Sequence, residues 1–456
     1  MRETEAERDE EARALDRIEA VLAAVEQQDA AAVDSILDPL HAADIADLLE
    51  QLSPANRSDL LALWHGGIDG EVLSEIDESI REEVIEALPE SVVADAVREL
   101  DTDDVVDILE DLDEPAQEKI LGALEDADRV AVEQAMGYPE YSAGRLMQRE
   151  TVVAPEHWTV GETIDWLRVA EWLPDQFYHI ILTDPRMRPV GYVTLGRALS
   201  SARDVRLKDI AEDSFRTVKA TDPEADVAYI FNQYHLISCP VVDENGRLAG
   251  VITIDDAMNV LDEEHEEDML RLAGVGDESS IQDGVVETVK SRIPWLFVNL
   301  LTANISAFVI SRFEGTIGAI VILAALMPII ASMGGIAGTQ SLTIAVRALA
   351  TRDLTGANAL RIVRREAMVG AINGGAFAVL MGLVGWLVLG MPLLGVVLAL
   401  AMVINLIVAA LAGILVPLGL DRLGLDPALA SGTFVMTMTD VIGFFAFLGL
   451  ASVILL

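Results

Sequence analysis

One carboxylate, that of Asp440, lies deep inside the last long apolar stretch of the chain. A charge at the middle of a bilayer costs at least about 2.5–3.5 kcal/mol, so such a side chain usually faces a water-filled path and not lipid. Thr437 and Thr433 precede Asp440 by about one and two helical turns and therefore share its helix face. The spacing predicts a polar stripe for a cation along an apolar helix. A structural hydrogen bond inside a helix bundle is the alternative role of Asp440.

A second set of carboxylates falls in residues 262–268, where six of the seven side chains are acidic. Glu264, Glu267 and Asp268 have spacings that place them on one face of a helix. Like charges on one face repel one another unless a cation neutralises them, so this segment is a candidate cation sensor. A solvated acidic helix is the alternative, and His265 is expected to be exposed and not to be a ligand.

The acidity of the chain is concentrated in its first part. The whole chain has 31 basic and 75 acidic side chains, a net charge of −44. Residues 292–456 contain eight Arg, no Lys and six acids, so residues 1–291 carry the remaining 23 basic and 69 acidic side chains. Such a field repels nucleic acid and concentrates cations. Because Lys is rare beside Arg, adaptation to a salty cytoplasm would explain the same imbalance, and both causes stay open.

The apolar part divides into five segments of about the ~20 residues that a bilayer requires. They are predicted at 293–312, 316–346, 367–390, 394–420 and 432–455. Basic residues gather after the second and fourth segments, which predicts a cytoplasmic N-terminal region and a C-terminus outside. The acidic N-terminus does not have the pattern of a signal peptide, and the single cysteine excludes an intramolecular disulfide. These features predict a multi-pass protein of the cell (inner) membrane.

The part before the membrane segments has two patterns. Residues 1–136 show apolar side chains at helical spacing, and residues 44–50 are repeated at 104–110, which predicts an all-α superhelical domain. Residues 138–262 contain β-like pairs at 178–182 and 190–193, then at 239–242 and 248–252, each pair preceded by a helix-like stretch. These pairs predict two consecutive copies of one βαββ module. No nucleophile–base motif and no phosphate-cradling glycine loop is found, so an enzyme is not expected.

Residues 241–256 resemble the second half of a CBS domain pair. In CBS pairs a Thr or Ser followed three residues later by Asp commonly holds the ribose of an adenine nucleotide, and Thr253 and Asp256 match that pattern. The resemblance implies a site for ATP or another adenine nucleotide. In the first copy the pair would be Thr194 and Arg197, so the acid is missing there. A purely structural CBS pair without a ligand is the alternative.

The whole chain resembles the MgtE family of magnesium channels. The motifs that carry this resemblance are Met-Gly-Gly-Ile-Ala-Gly-Thr-Gln-Ser at 333–341, Arg-Ala-Leu-Ala at 347–350, Asp-Pro-Ala-Leu at 426–429 and Thr437-x-x-Asp440-x-x-Gly443. The resemblance implies a multidomain membrane protein. Its parts are a helical N-domain at 1–136, CBS domains at 137–200 and 201–261, an acidic linker (plug) helix at 262–290 and a five-helix transmembrane domain at 291–456.

By the same resemblance, the protein is a homodimer that passes Mg²⁺ along a pore lined mainly by the fifth span. Asp440, Met436 and Thr437 are the implied pore ligands, since Mg²⁺ binds oxygen and gives up its waters reluctantly. Helix packing around the pore is assigned to the small or polar residues of span two, namely Gly334, Gly335, Gly338 and Gln340.

The family also implies a gate. Cytosolic Mg²⁺ would bridge the plug helix to the other domains and close the pore. The acids matched by position are Asp256, Glu264, Glu267 and Asp268, with Asp426 as their partner at the membrane.

Three positions depart from the family pattern. Ile336 stands where many members have Asn, Thr433 where many have Pro, and Asn259 where another acid is expected.

The sequence therefore leads to one hypothesis and two alternatives. The hypothesis is a magnesium channel in the lipid bilayer, gated by cytosolic Mg²⁺ and without a nucleic-acid partner. The alternatives are a transporter of another divalent cation such as Co²⁺, and a CBS-containing membrane sensor that does not conduct.

Overall fold

A computed structural model describes residues 5–64, 68–110, 112–170, 172–174, 176–212, 214–275, 284–428 and 431–456. Two parts of the predictions, residues 276–283 of the linker and Leu429 of the motif at 426–429, lie outside the described residues. The chain forms two compact units, residues 1–262 and residues 263–456, and each is described by itself.

The first unit begins with short helices, as the helical spacing of its apolar residues predicts. Several start at an Asp or Ser whose side chain accepts a backbone N–H of the first turn, as at Asp29, Ser53, Asp69 and Asp113. The helices are α1 (Glu5–Glu26), α2 (Ala30–Leu37), α3 (Ala42–Gln51), α4 (Pro54–Leu63), α5 (Gly70–Glu75), α6 (Glu78–Ala87), α7 (Glu90–Val97), α8 (Thr102–Glu110), α9 (Glu114–Ala123) and α10 (Asp126–Ala135).

Buried polar side chains connect successive helix pairs of this domain. Arg57 of α4 is 2% exposed, and its Nε and Nη2 donate to the carbonyls of Leu49 and Leu52 at the end of α3. Its Nη1 also pairs with Glu83 of α6 at 2.9 Å. Sixty residues after Arg57, Gln117 of α9 donates to two carbonyls at the end of α8 in the same manner. The segments identified as a repeat thus form helices with equivalent ends.

The rest of the first unit contains two small sheets of the same design, as the doubled βαββ pattern predicts. In each sheet the first strand is parallel and the third antiparallel to the central one. The sheets are β1 (Val153–Pro155), β2 (His179–Thr183) and β3 (Pro189–Thr194), then β4 (Val218–Lys219), β5 (Ser238–Val242) and β6 (Leu248–Thr253). Their helices are α11 (Val160–Leu167), α12 (Leu195–Ser200) and α13 (Glu224–Tyr234).

Both sheets end at a threonine, because Thr194 and Thr253 are the last residues of β3 and β6. The single cysteine, Cys239, lies in β5 and is 1% exposed. Burial raises the pKa of its thiol to about 12.

Helix α14 (Ile254–Ala273) follows β6 directly, so it begins eight residues before the predicted linker helix. It ends where Gly274 adopts a left-handed conformation with φ +73°, which is a common helix stop. The next helix, α15, begins at Val285. The predicted plug segment at 262–290 is therefore not one helix in the described residues, because the left-handed glycine interrupts it.

Within its described residues, the second unit contains five helices long and apolar enough to cross a membrane, the number predicted from the sequence. Of these, α19 is the most buried and packs against its neighbours on three sides. The helices are α15 (Val285–Ser311), a short α16 (Glu314–Ala319), α17 (Ile322–Ala350), α18 (Ala359–Leu383, followed by a π-helical turn at Val384–Val388), α19 (Pro392–Arg422) and α20 (Ser431–Ile454). The second span was predicted to begin at residue 316, which lies in the separate short helix α16, whereas the long helix α17 begins at Ile322.

Candidate ion path and acidic clusters

Asp440 borders a cleft of about 910 Å³ between α17 and α20. Its lining includes Met436 one turn earlier on α20, and Gly335, Ile336, Thr339 and Gln340 on α17. The carboxylate lies at the tenth of the 24 residues of α20, near the middle of the span. The structure thus brings together two of the predicted pore ligands, Asp440 and Met436, with Gly335 and Gln340, which were predicted as helix-packing residues.

Thr437 is not among the residues that line this cleft. Its hydroxyl donates to the carbonyl of Thr433 at 2.7 Å, so the hydrogen bond stays within α20. Met436 and Asp440 are four residues apart and share the open face of the helix, whereas Thr437 lies beside that face. Among the described residues, the wall of the cleft on α20 is therefore one carboxylate and one thioether.

The three glycines of span two have different surroundings. A Cβ at Gly334 would lie 2.4 Å from Asn405 Nδ2, and one at Gly338 would lie 2.7 Å from Val435 Cγ1. Both glycines permit close helix packing. A Cβ at Gly335 would have no atom within 4 Å, which agrees with its place in the wall of the cleft. Its neighbour Ile336 is 55% exposed and makes that wall apolar.

A cluster of carboxylates occurs in the first unit, where the start of α8 meets the start of α14. Asp103 and Asp104 lie near Asp256. Burial, followed by the charge of Asp256, raises the pKa of Asp104 to about 7 and the pKa of Asp103 well above its usual range. Burial likewise raises the pKa of Asp256 to about 6, although hydrogen bonds from Thr253 oppose the shift. We call Asp103, Asp104 and Asp256 the inner acidic cluster.

The analysis of the sequence identified Asp256 but not Asp103 or Asp104. The run Asp101-Thr102-Asp103-Asp104 is visible there, yet acids in the first turn of a helix are common because they favour the helix dipole. Hydrogen bonds hold this end of α8 in place: Thr102 Oγ1 donates to Glu150 at 2.7 Å, and Gln148 Nε2 donates to Asp101 at 3.1 Å.

Thr253 and Asp256, the predicted ribose-binding pair, are in contact. Thr253 Oγ1 donates to Asp256 Oδ2 at 2.6 Å. In the first copy, Thr194 Oγ1 accepts the backbone N–H of Arg197 at 3.3 Å, and the Arg197 guanidinium lies 3.7 Å from Glu212. The second copy therefore offers an oxygen pair, whereas the first offers a cation at the equivalent position.

A separate cluster of charges lies in the second unit, between the end of α14 and the segment that joins α19 to α20. Arg271 Nη1 is 2.7 Å from Asp426 Oδ2, and Arg271 Nη2 is 2.9 Å from Glu267 Oε2. Burial, followed by the charge of Asp426, raises the pKa of Asp268 to about 6. Burial also raises the pKa of Glu264. We call Glu264, Glu267, Asp268, Arg271 and Asp426 the outer acidic cluster.

Arg271 is the member of this cluster that sequence reasoning missed, because its partner Asp426 is 155 residues away. The end of α14 also makes apolar contacts with the spans. Leu272 packs against Leu342 and Val346 of α17 and Val435 of α20. Four of the five predicted gating acids thus lie in the outer cluster, and the fifth, Asp256, lies in the inner cluster.

The carboxylates of both clusters are oxygen donors suited to a hard cation, and in the outer cluster Arg271 pairs with two of them. Within the part of the chain that the structure describes, no group of three or more His, Cys, Asp or Glu side chains has the arrangement of a complete metal site. Mg²⁺ usually retains several of its waters and takes only one or two carboxylates, so the three carboxylates of the inner cluster and the four of the outer cluster are enough for a hydrated ion.

Three family profiles match separate parts of the chain. The MgtE divalent cation transporter family matches residues 327–450, the MgtE intracellular N domain matches 40–141, and the CBS domain matches 207–263.

Curated relatives match over about three quarters of the chain. A protein named magnesium transporter MgtE from Thermus thermophilus is 33% identical over 74% of this chain and 75% of its own length. The protein of that name from Bacillus subtilis is 29% identical over 73% and 74%. Among solved structures, the cytosolic domain of the Mg²⁺ channel MgtE in complex with ATP is 28% identical and covers 53% of this chain and 99% of that one, with a TM-score of 0.49.

Proposed function

This chain belongs to the MgtE family of divalent cation transporters, and from that membership we propose that it moves Mg²⁺ across a membrane along the cleft beside Asp440. It is a multi-pass membrane protein with five membrane helices. The resemblance identified from its motifs is confirmed by the family profiles and by relatives that are named as transporters and not as enzymes.

The observation that carries the proposal is the position of Asp440. A carboxylate near the middle of a membrane helix borders a cleft of about 910 Å³, which is large enough for an ion with its water shell. One chain supplies one such carboxylate. In a homodimer with the cleft at a two-fold axis, two carboxylates would face each other, and the exposed Ile336 and Ile344 beside the cleft would be covered.

The gate of the proposed channel uses the two acidic clusters. Carboxylates with raised pKa values repel one another when all are ionised, and a bound Mg²⁺ removes that repulsion. High cytosolic Mg²⁺ would favour the compact, closed form, provided that it binds that form more tightly than the open one. The contacts of Arg271 and Leu272 support this mechanism, because they hold the end of α14 at the ends of α17 and α20.

An adenine nucleotide is proposed as a second ligand, held by Thr253 and Asp256. The contact between their side chains supports this assignment. Because Asp256 also belongs to the inner cluster, nucleotide and Mg²⁺ would influence each other's binding.

The orientation in the membrane is also a proposal. Five arginines at or near the loop between α17 and α18 favour the cytoplasmic side for this loop and for the N-terminal region, with the C-terminus outside. These are Arg347, Arg352, Arg361, Arg364 and Arg365.

Flux measurements on the full chain in liposomes test the proposal. With low internal Mg²⁺ we expect Mg²⁺ uptake, and we expect Asp440→Asn to reduce it by at least about tenfold because the focused negative charge is lost. Asp421→Asn is the matched control, since Asp421 is exposed at the end of α19. Competition with Co²⁺ in the same assay determines which ion is preferred.

Two results would contradict the proposal. Wild-type liposomes that take up no divalent cation would favour the sensor alternative. Uptake by Asp440→Asn at the wild-type rate would place the ion path elsewhere.

A further inference from the structure

Asn405 is a polar side chain on α19, the most apolar of the five membrane helices described. It lies at the fourteenth of the 31 residues of α19 and is 0% exposed. Its Nδ2 donates to the backbone carbonyl of Ile330 in α17 at 2.7 Å. No motif singled it out in the sequence, because one Asn in a long apolar helix has no local pattern.

Two glycines make room for the amide of Asn405. A Cβ at Gly334 of α17 would lie 2.4 Å from Nδ2, and a Cβ at Gly443 of α20 would lie 2.8 Å from Oδ1. Both distances are shorter than real Cβ atoms show, and both involve the same side chain. The side chain of Asn405 therefore lies between α17 and α20, and it accounts for the absence of side chains at positions 334 and 443.

Apolar packing alone does not account for an amide at this position. Leu has a similar volume and would not leave a polar atom without a partner, whereas Oδ1 of Asn405 has no hydrogen-bond partner among the described residues. A buried polar group without a partner is costly. Such residues are used in helix bundles to specify one register among several of similar energy.

The relative alignment of α17 and α20 that Asn405 specifies also determines the geometry of the cleft between them. Gly334 is adjacent to Gly335 in the wall of the cleft, and Gly443 follows Asp440 by three residues. One turn further along, α17 and α20 touch directly, where Gly338 meets Val435 and Thr439. Sliding either helix would close the gap that the amide fills and would move Asp440 along the wall.

We propose that Asn405 is a positioning residue, which fixes the height of Asp440 against the α17 wall and thereby sets the ion preference of the cleft. The inference rests on the proposed transport along that cleft. Asn405 acts through α17 and α20 and not as a ligand, because it lies behind the wall and is fully buried.

A double-mutant cycle measured in liposomes tests this role. Gly443→Ala places a methyl group against Oδ1 and is expected to change the KM for Mg²⁺ and the Mg²⁺/Co²⁺ flux ratio by about tenfold. Adding Asn405→Ala to that variant removes the obstacle together with the hydrogen bond to Ile330, so the double variant is expected to have the KM and flux ratio of Asn405→Ala alone and not the sum of the two shifts. Gly375→Ala on α18 is the control and should change neither, because a Cβ there would have no atom within 4 Å.

Asn405→Leu distinguishes the effect of the hydrogen bond from the effect of side-chain volume, since it keeps the volume and loses the hydrogen bond to Ile330. The KM and the flux ratio should shift although the protein remains folded. If Asn405→Leu does not fold, Asn405→Ala, which also loses the hydrogen bond to Ile330, takes its place and should shift the same two values.

Three outcomes overturn the inference. They are a double variant whose shifts are the sum of those of Gly443→Ala and Asn405→Ala, Asn405 variants with wild-type KM and flux ratio, and variants that lower only the maximal rate together with the melting temperature. Absence of wild-type flux overturns the proposed function as well, so the two failures are distinguishable.

Discussion

At the scale of single residues, the inner acidic cluster behaves as a site that binds protons when no cation is present. Asp104 and Asp256 have pKa values of about 7 and about 6, compared with an ordinary value of 3.8, and burial is the main cause of both shifts. Near neutral pH some of these carboxyls carry a proton. A divalent cation would compete with those protons, so under the proposed gating pH and Mg²⁺ would act on the same groups.

The direction of the pH effect follows from the raised values. A carboxyl whose pKa is raised by folding stabilises the folded form below the ordinary pKa, and that contribution is lost as the pH rises through the folded-state pKa. In EDTA, the melting temperature of the cytosolic region in the full chain should therefore fall between about pH 5 and pH 8. Asp104→Asn should flatten this dependence, and millimolar Mg²⁺ should raise the curve most at the alkaline end.

Asp34→Asn is the control for that titration, because Asp34 is exposed on α2. If Asp34→Asn and Asp104→Asn change the pH dependence equally, general charge repulsion and not the cluster is responsible.

How well the sequence predicts a site residue depends on whether its role is local. Asp440 could be predicted because one carboxylate in an apolar segment is unusual by itself. Arg271 could not, because its role depends on Asp426, which is distant in sequence. Asn405 was missed for the same reason. The polar stripe was predicted from spacing alone, and a rotation of about 100° per residue separates Thr437 from Met436. Only packing decides which of the two borders the cleft.

At the scale of elements, the helical domain depends on polar connections between its helix pairs. Arg57 and Arg81 are both nearly buried, and each bonds a carbonyl at the end of the preceding helix and a carboxylate on a later one. Such an arginine has three roles, since it satisfies carbonyls, pairs a charge and fills space with its stem.

Removing one of these connections should therefore cost more than removing a surface ion pair. We expect Arg57→Ala to lower the free energy of unfolding of this domain by about 1–3 kcal/mol, because it removes buried hydrogen bonds to two carbonyls and the partner of Glu83. Arg129→Ala breaks an exposed ion pair of similar length with Glu133 and should cost much less, because solvent screens that pair. Chemical denaturation of both variants measures the difference, and equal losses would show that Arg57 is only a surface-type contact.

The elements themselves were largely predictable, since hydropathy and periodicity determine them. The five spans and the doubled strand pairs form as the sequence indicates. The linker was predicted less well, because its many Glu residues favour a helix throughout and do not indicate where α14 begins or ends. Helix α14 starts directly after β6, where no loop separates strand from helix, and it stops at Gly274, whose left-handed conformation the sequence analysis did not consider.

At the scale of the whole molecule, the question is whether the acidity serves salt tolerance or Mg²⁺ sensing. The net charge of −44 is far larger than the two clusters require, so most acids are solvated surface. Screening by salt weakens the repulsion between all of the acidic side chains, whereas a bound Mg²⁺ affects only the few carboxylates that are close to it.

Gating by Mg²⁺ should therefore be specific. We expect flux in liposomes to close at high internal Mg²⁺ and to remain open in KCl of equal ionic strength. The triple variant Glu264→Gln/Glu267→Gln/Asp268→Asn should stay open at high Mg²⁺, because the outer cluster has lost its ligands. Its control is Glu244→Gln, a single exposed acid in the turn between β5 and β6.

Two results would favour salt adaptation as the cause of the acidity. One is closure by KCl as complete as that by Mg²⁺. The other is normal closure of the triple variant.

The burial of Cys239 has a practical consequence for the chemistry of this protein. Its thiol is 1% exposed and remains protonated well above neutral pH, so oxidants and thiol-directed labels should leave it unmodified. A cysteine introduced at Thr343 in the cleft would then be the reactive thiol of the chain, without prior removal of the natural one. Spectroscopic probes could follow hydration of the path directly in an otherwise natural sequence.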